Sequence, residues 1–525
     1  MALVKFSFSD LKTLFPGAKA SSLEDDLAAL GIPLEGMEED EASAEITPNR
    51  PDWLSVEGIA RSLSSFRTGK PKEYSTKPAT VEWSVDSSVK SVRPHLGSAI
   101  VRGVKTSDAF VASMMQLQEK LHDTLGRNRR KLAIGLHNLQ AVEPPFAYLA
   151  IGREEMRFVP LGKEAPMTLG QILSSHEKGI AYAHLVGEKC PIILDCNNEV
   201  LSFPPIINSE RTRVDDATVD FLIDCTGMSG HAVRTAVQII SAALVDRGGI
   251  AEEVKINGKP YPLFKPQQMP IPIDAANRML GMKMGKKEII SHLMRMGHAI
   301  SGSKVLVPSY RADVMHAADL VEDIAISIGY NNFPKTLPQF HTIGIWDDTS
   351  SPIHSILIGL GFTEVLSWML TNKNVVIKSK QEPSKTIVAN PLTEEFSILR
   401  PLLFPNHLQV FAQSRNDAMP QRIYEIGAVF PDDGEVEHIA ACSCHPKAGW
   451  AEAKSALEAF GKSISKPLEF TPANLPGFID GRSCKILLEG KEIGFAGEIH
   501  PEVLVSFGIE QPVCVFELAT ESLKQ

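Results

Sequence analysis

Four acids gather within eleven residues of the stretch "PSYRADVMHAADLVEDIAISIGY", Pro308 to Tyr330: Asp313, Asp319, Glu322 and Asp323. The last three stand at i, i+3 and i+4, so on a helix they share one face. Asp313 lies six residues earlier, at the exit of a strand-like run, within reach of the same point. Like charges so spaced repel by about 0.2–0.5 kcal/mol per pair on an exposed helix, and by more when partly buried. A bound cation relieves that repulsion. Magnesium is the natural candidate, because it is hard, prefers oxygen ligands in near-octahedral order and engages carboxylates while keeping several waters. A solvated helix face is the alternative, with acids opposing the helix macrodipole and Asp313 as a turn or capping residue. Spacing alone leaves both open.

Other chemistry-bearing groups are less specific. Gly126-Arg127-Asn128-Arg129-Arg130-Lys131 is a local basic patch, suited to a phosphate contact or simply a solvated helix end. Cys442-Ser443-Cys444-His445 superficially resembles metal spacing, but a structural zinc site needs a second pair of ligands, so these read as buried thiols on a strand. Arg422 and Glu425 read as a structural ion pair or an edge-strand pair, and Arg50 with Asp52 as a turn-stabilising pair. His137, His176 and His184, beside strands and helices, read as core or rim histidines rather than catalysts.

The elements that must position these residues follow from length and patterning. A chain of 525 residues exceeds one core, and roughly 150 residues per domain predicts three or four domains. Residues 1–80 form a small N-terminal module, with a Ser21-x-x-Glu24 capping box before a helix ending at Gly31, and an amphipathic helix beginning near Asp52 or Ser55. "GKPKEYSTKP" reads as a linker. Residues 88–262 alternate strand-like runs such as "AIVRGVK", "FAYLAIG" and "FLIDCTG" with helices, the pattern of a mixed α/β domain. Residues 266–342 suit a small winged-helix-like module that carries the acidic helix, and residues 345–525 a mixed or antiparallel sheet flanked by helices. The expected class is thus a multidomain α+β and α/β chain.

Composition bounds the function. A net charge of −10 excludes wholesale attraction to nucleic acid, so any RNA contact must use local basic patches. Seven scattered cysteines form no paired framework, which fits a reducing cytosol. The N-terminus "MALVKFSFSDLK" lacks an apolar core of signal-peptide length, and no window reaches ~18 consecutive apolar residues. A cytoplasmic chain without a membrane span is expected.

The acidic stretch resembles the metal-coordinating module of the beta subunit of phenylalanyl-tRNA synthetases. The family pattern is Ser-Tyr-Arg-x-Asp followed by Asp, Glu and Asp or Glu, and Asp313, Asp319, Glu322 and Asp323 match it without a gap. Further similarities occur in the family's order: "ITPNRPDWLSVEGIARSL" near the N-terminus; "KLAIGLHNL", "HEKGIAYAHL" and "FPPIINSE" with "IDCTG" in the module that edits mischarged tRNA; and "NPLTEEFSILRPLLFPNHL", "RIYEIGAVF", "FIDGRS" and "GFAGEIHPEVLVSFGIEQPVCVFEL" in a module shaped like a class II synthetase core. The resemblance covers essentially the whole chain and is to the shorter archaeal and eukaryotic-type subunit.

The resemblance implies a Mg²⁺ on those four carboxylates at the boundary with an alpha subunit, an alpha2beta2 heterotetramer, and attachment of phenylalanine to tRNA-Phe with ATP as the complex's substrate. It places aminoacylation in the alpha partner. "QRIYEIGAVF" departs from the Arg-x-Glu spacing of an ATP-clamping strand, and "GEIHPEVLVSFGIE" has no glycine-rich run followed by arginine, so this core is expected to lack an ATP site. The resemblance also places a hydrolytic editing site, for Tyr-tRNA-Phe, around Asn208, Ser209, Asp224 and Thr226. Asp224 would accept the phenolic proton and the others would orient water or ribose. Alternatively Asn208-Ser209 form a turn, and Asp224 to Gly227 end a strand and cap the next helix. Two other functions compete: a stand-alone deacylase of mischarged tRNA, and a non-enzymatic RNA-binding or assembly protein.

Overall fold

Alternation in "ALVKFS" turns Ala2, Val4 and Phe6 inward, and the run forms strand β1 (Ala2–Ser7). It pairs antiparallel with β3 (Glu41–Ile46), which also pairs β2 (Leu34–Glu38). Helices α1 (Phe8–Leu14), α2 (Leu23–Ala29) and α3 (Val56–Thr68) complete this layer. The expected capping box does not form. A 3-10 turn, Ala20–Ser22, precedes α2, and the Ser22 hydroxyl bonds Asp26 instead. Helix α3 begins after Ser55, and the turn before it holds Arg50 bidentate on Asp52 (2.9 and 2.8 Å) and stacked 3.4 Å over Trp53.

The computed structural model describes residues 2–337, 344, 351–432, 434–521 and 523, and the chain divides into two units, residues 1–337 and 338–525. In the first unit a ten-stranded sheet follows the N-terminal layer. Its strands are β4 (Thr76–Val85), β5 (His95–Arg102), β6 (Leu132–Asn138), β7 (Phe146–Gly152), β10 (Lys189–Leu194), β11 (Val200–Phe203), β12 (Ile207–Asn208), β13 (Phe221–Gly227), β14 (Ile250–Ile256) and β15 (Lys259–Tyr261). A two-stranded ribbon, β8 (Arg157–Phe158) with β9 (Met167–Thr168), lies outside it. The strand order is β12-β11-β10-β7-β4-β14-β5-β13-β6, with β15 on β14 and parallel pairing only around β4. Helices α4 (Asp108–Asp123), α5 (Leu169–Ser175), α6 (Glu177–Tyr182) and α7 (Gly230–Asp246) join these strands.

The segment expected to be a linker is tied down. Strand β4 already begins at Thr76, and Lys72, Tyr74 and Arg61 converge on Asp246 at the end of α7 (2.6, 2.8 and 3.0 Å). One apolar cluster also runs from Leu11, Ile59 and Leu63 to Phe110, Phe221 and Val237, so the N-terminal layer and the large sheet share a core. The remainder of this unit is a three-stranded sheet, β16 (Gln267–Pro270), β18 (Lys304–Val307) and β17 (Ala299–Ser301) in that order, with α8 (Ile273–Leu280), α9 (Lys286–Arg295) and α10 (Ala317–Ile328).

The second unit centres on a seven-stranded sheet, β19 (Thr363–Glu364), β22 (Gln421–Val429), β23 (Val436–Cys444), β27 (Val513–Ala519), β26 (Lys491–Ile499), β25 (Phe478–Leu488) and β24 (Glu469–Pro472) in spatial order. All its pairs are antiparallel except β19 with β22. Around it lie α11 (Ser351–Gly359), α12 (Lys373–Lys378), α13 (Phe404–Gln413), α14 (Trp450–Ser463) and α15 (Pro501–Phe507), with a short β20 (Leu370–Thr371)–β21 (Ile398–Leu399) pair. No helix among the described residues is long and apolar enough to cross a membrane.

Candidate functional site

Strand β13 is buried throughout, and its two-residue period divides it. Phe221, Ile223 and Cys225 pack in the cluster with α7, which puts Leu222, Asp224 and Thr226 on the other face. A carboxylate only 1% exposed needs a partner. Asp224 finds it on β6: its Oδ2 lies 2.6 Å from His137 Nε2, and His137 Nδ1 lies 2.8 Å from the Thr212 hydroxyl. Register makes this contact possible, because Asp224 sits opposite Gly135, two residues before His137. A Cβ at position 135 would fall 2.0 Å from Asp224 Oδ2 and 2.6 Å from His137 Nε2, so the position accepts no side chain.

A cavity of about 50 Å³ opens beside this pair, lined by Asp224, Asn208, Ser202, Arg129 and His122. Asn208 is fixed at both ends, its Oδ1 accepting from Ser202 (3.1 Å) and its Nδ2 donating to the Leu136 carbonyl (3.3 Å). Arg129 donates to the carbonyls of Pro205 (3.1 Å) and Ile206 (2.9 Å) and to Glu119 (3.0 Å). Glu119 is held at about 2 by His122, 3.7 Å away, which with Arg129 and Lys178 outweighs the opposing effect of burial. A second, mostly apolar cavity of about 130 Å³, lined by Phe110, Met114, Leu136, Leu161 and Val214, also reaches Asn208 and Thr212.

Of the four residues expected here, Asn208 and Asp224 meet at one cavity and two do not. Ser209 is buried, with its hydroxyl 3.5 Å from the Val159 carbonyl. Thr226 accepts from Arg93 Nε at 3.0 Å, farther along β13. The basic patch divides likewise: Arg129 is 4% exposed in the cavity wall, while Arg127 and Arg130 are exposed. Sequence reasoning left His137 out and did not find Thr212; the only local signal was a histidine two residues beyond a glycine in a strand-like run.

The acidic cluster is split between inside and outside. Asp323 is buried and binds His298 Nε2 (2.6 Å) and Arg311 Nη2 (2.9 Å), which together hold its carboxyl at about 2 although burial opposes ionisation. Asp313 takes Arg311 bidentately, at 2.9 and 2.7 Å, and lies 3.9 Å from Arg50. Asp319 Oδ2 caps α10 by accepting from the backbone of Met315 (2.7 Å) and His316 (2.6 Å), and its Oδ1 takes no hydrogen bond from the described residues. Glu322 is exposed. The donors are hard oxygens, the chemistry magnesium requires, and the two outward groups lie one turn apart. Within this chain they do not close a shell: among the described residues no three His, Cys, Asp or Glu side chains converge on a possible metal position.

In the second unit Arg422 and Glu425 do not pair, correcting the expectation. Residues three apart on a strand face opposite ways. Arg422 binds Glu452 (2.9 Å), which also takes His445 (2.7 Å). Glu425 lies buried against Arg400 (2.7 Å), Ser367 (2.6 Å) and His407 (3.3 Å). Cys442 and Cys444 are buried on β23, and burial pushes the Cys444 thiol up to about 11.

Known proteins resemble the chain over its whole length. Residues 333–520 match the family model of the phenylalanyl tRNA synthetase beta chain CLM domain, and residues 269–330 that of the tRNA synthetase B5 domain. The "Phenylalanine--tRNA ligase beta subunit" of Archaeoglobus fulgidus is 39% identical over 99% of this chain and 98% of its own. That of Methanosarcina acetivorans is 37% identical over 100% and 99%. Among solved structures, an N-terminal fragment of the phenylalanyl-tRNA synthetase beta subunit from Pyrococcus horikoshii matches with TM-score 0.60 and 33% identity, covering 62% of this chain and 99% of the fragment. At that identity and coverage the chain belongs to the phenylalanine–tRNA ligase beta-subunit family.

Proposed function

We propose that this chain, with an alpha partner in an alpha2beta2 cytoplasmic heterotetramer, forms the ligase that attaches phenylalanine to tRNA-Phe using ATP, and that its own cavity hydrolyses Tyr-tRNA-Phe. The observation that carries the hydrolytic reading is the buried Asp224–His137 pair beside a cavity that Asn208 also lines. An apolar phenylalanine pocket rejects an added hydroxyl by only about a hundredfold, so a second site that demands the hydroxyl is needed. Asp224 meets that demand. With Oδ2 taken by His137, Oδ1 remains to accept the phenolic O–H, and phenylalanine would leave that desolvated oxygen without a donor. Water then attacks the ester carbonyl, and the products are free tyrosine and the tRNA hydroxyl. Activation belongs to the alpha partner in this reading, supported by the way Arg400 spends its guanidinium on Glu425, Ser367 and the Ala428 carbonyl, leaving little for phosphate.

In the assembled complex Asp224→Ala is expected to slow deacylation of Tyr-tRNA-Phe roughly tenfold to a hundredfold, the worth of a charged hydrogen bond of about 1.5–3 kcal/mol. Charging with phenylalanine should be unchanged. A wild-type deacylation rate would remove Asp224 from the site.

The same reading includes a Mg²⁺ held by Asp319 and Glu322 where the alpha subunit meets this chain; Asp313 and Asp323, expected to share it, are instead taken by Arg311 and His298. Such an ion would neutralise the outward carboxylates at that boundary. Calorimetric titration of the assembled complex with MgCl₂ should show a site that Asp319→Ala/Glu322→Ala weakens at least tenfold. Identical isotherms for the variant and the parent would reject the assignment.

A further inference from the structure

Resting on the hydrolytic reading, we infer that His137 is the positioning residue of that site, turning the Asp224 carboxylate and tying it to the segment that carries Asn208. His137 is 0% exposed and both ring nitrogens are engaged. An ionised carboxylate only accepts, so Nε2 carries the hydrogen of the 2.6 Å contact with Asp224 Oδ2. Oδ1 takes no hydrogen bond from a described residue and is the atom left for the cavity. Nδ1 meets the Thr212 hydroxyl, which also lies 3.1 Å from the Ser209 carbonyl. One imidazole therefore joins β6, β13 and the Ser209–Thr212 turn. Asn208 lines both cavities and stands directly before that turn, so the ring sets the carboxylate and the amide relative to each other.

The alternative is a ring that only fills space. Gly135 argues against it. The strand keeps an empty Cβ position beneath the Nε2–Oδ2 contact, the place where a side chain would press on both groups. Thr212 adds an independent handle, since its hydroxyl can be removed with the ring left in place.

The test uses the assembled complex with Tyr-tRNA-Phe. His137→Gln places an amide nitrogen where Nε2 sits and keeps the donation to Asp224. His137→Asn places it near Nδ1 and loses that donation. We expect the glutamine variant to deacylate within about threefold of the parent. The asparagine variant should lose tenfold or more in kcat with KM little changed, and its preference for Tyr-tRNA-Phe over Phe-tRNA-Phe should fall in parallel. Thr212→Val should show a smaller loss of the same kind. Combining His137→Asn with Asp224→Ala should be no worse than Asp224→Ala alone, because the ring acts through the carboxylate.

Equal losses in the glutamine and asparagine variants, tracking a lowered melting temperature, would make the ring structural and overturn the inference. So would a fully active asparagine variant beside an inactive Asp224→Ala, with the hydrolytic site itself still standing. Full activity of Asp224→Ala would instead sink the hydrolytic reading on which the inference rests.

Discussion

Arg311→Ala is expected to destabilise the first unit by about 3–5 kcal/mol, the cost of stripping one partner from a buried ion pair. The guanidinium binds Asp313 through Nε and Nη2, Asp323 through Nη2, and the Met296 carbonyl through Nη1 at 3.3 Å. Its removal leaves two carboxylates facing each other, one fully desolvated and held only by His298. Arg311→Lys should recover little, since one ammonium cannot span both acids in the planar fork geometry. Arg311→Met/Asp323→Asn, which removes both charges and keeps an acceptor for His298, should lose clearly less than Arg311→Ala. Chemical denaturation midpoints of the three variants check this. Equal midpoints for Arg311→Ala and the parent would mean the arginine is replaceable by water.

Arg400→Ala is the corresponding expectation in the second unit, again about 3–5 kcal/mol. Arg400 is 2% exposed and lies against a glycine for a reason: a Cβ at Gly427 would sit 2.5 Å from Nη2. The variant should also change the acid response. Burial opposes ionisation of Glu425, but His407, Ser367 and Arg400 outweigh it and hold the carboxyl below its ordinary value. A depressed folded value adds stability that is complete above the unfolded carboxylate value of about 4.3 and is lost as pH falls through the folded one. Denaturation midpoints of the parent should therefore decline below about pH 4. Those of Arg400→Ala should start lower and decline less, because the carboxylate has lost a cation that favoured its charge. A parallel decline in both proteins would remove Arg400 from the pH dependence.

How much of this was readable beforehand differs by site. On α10 the i, i+3, i+4 spacing of Asp319, Glu322 and Asp323 was plain, and so was a strand exit before Asp313. What spacing did not reveal is that Leu320, Val321 and Ile324 turn Asp323 inward, where His298 and Arg311 await it. The same local blindness produced the Arg422–Glu425 expectation, in which proximity along the chain stood in for a shared face. The linker expectation failed similarly. A polar, proline-bearing composition describes residues 69–78, yet Lys72 and Tyr74 are anchored by an aspartate more than 170 positions away.

By itself, the sequence determined the elements and the family. Apolar periodicity, glycine stops and ordered motifs are local or linear properties, legible without the fold. Only the tertiary structure decided which side chains meet. His137 and Asp224 are 87 residues apart and meet because β6 and β13 pair in one register. A slip of one residue would turn the carboxylate to the opposite face of the sheet, and nothing in the residues between them states that register.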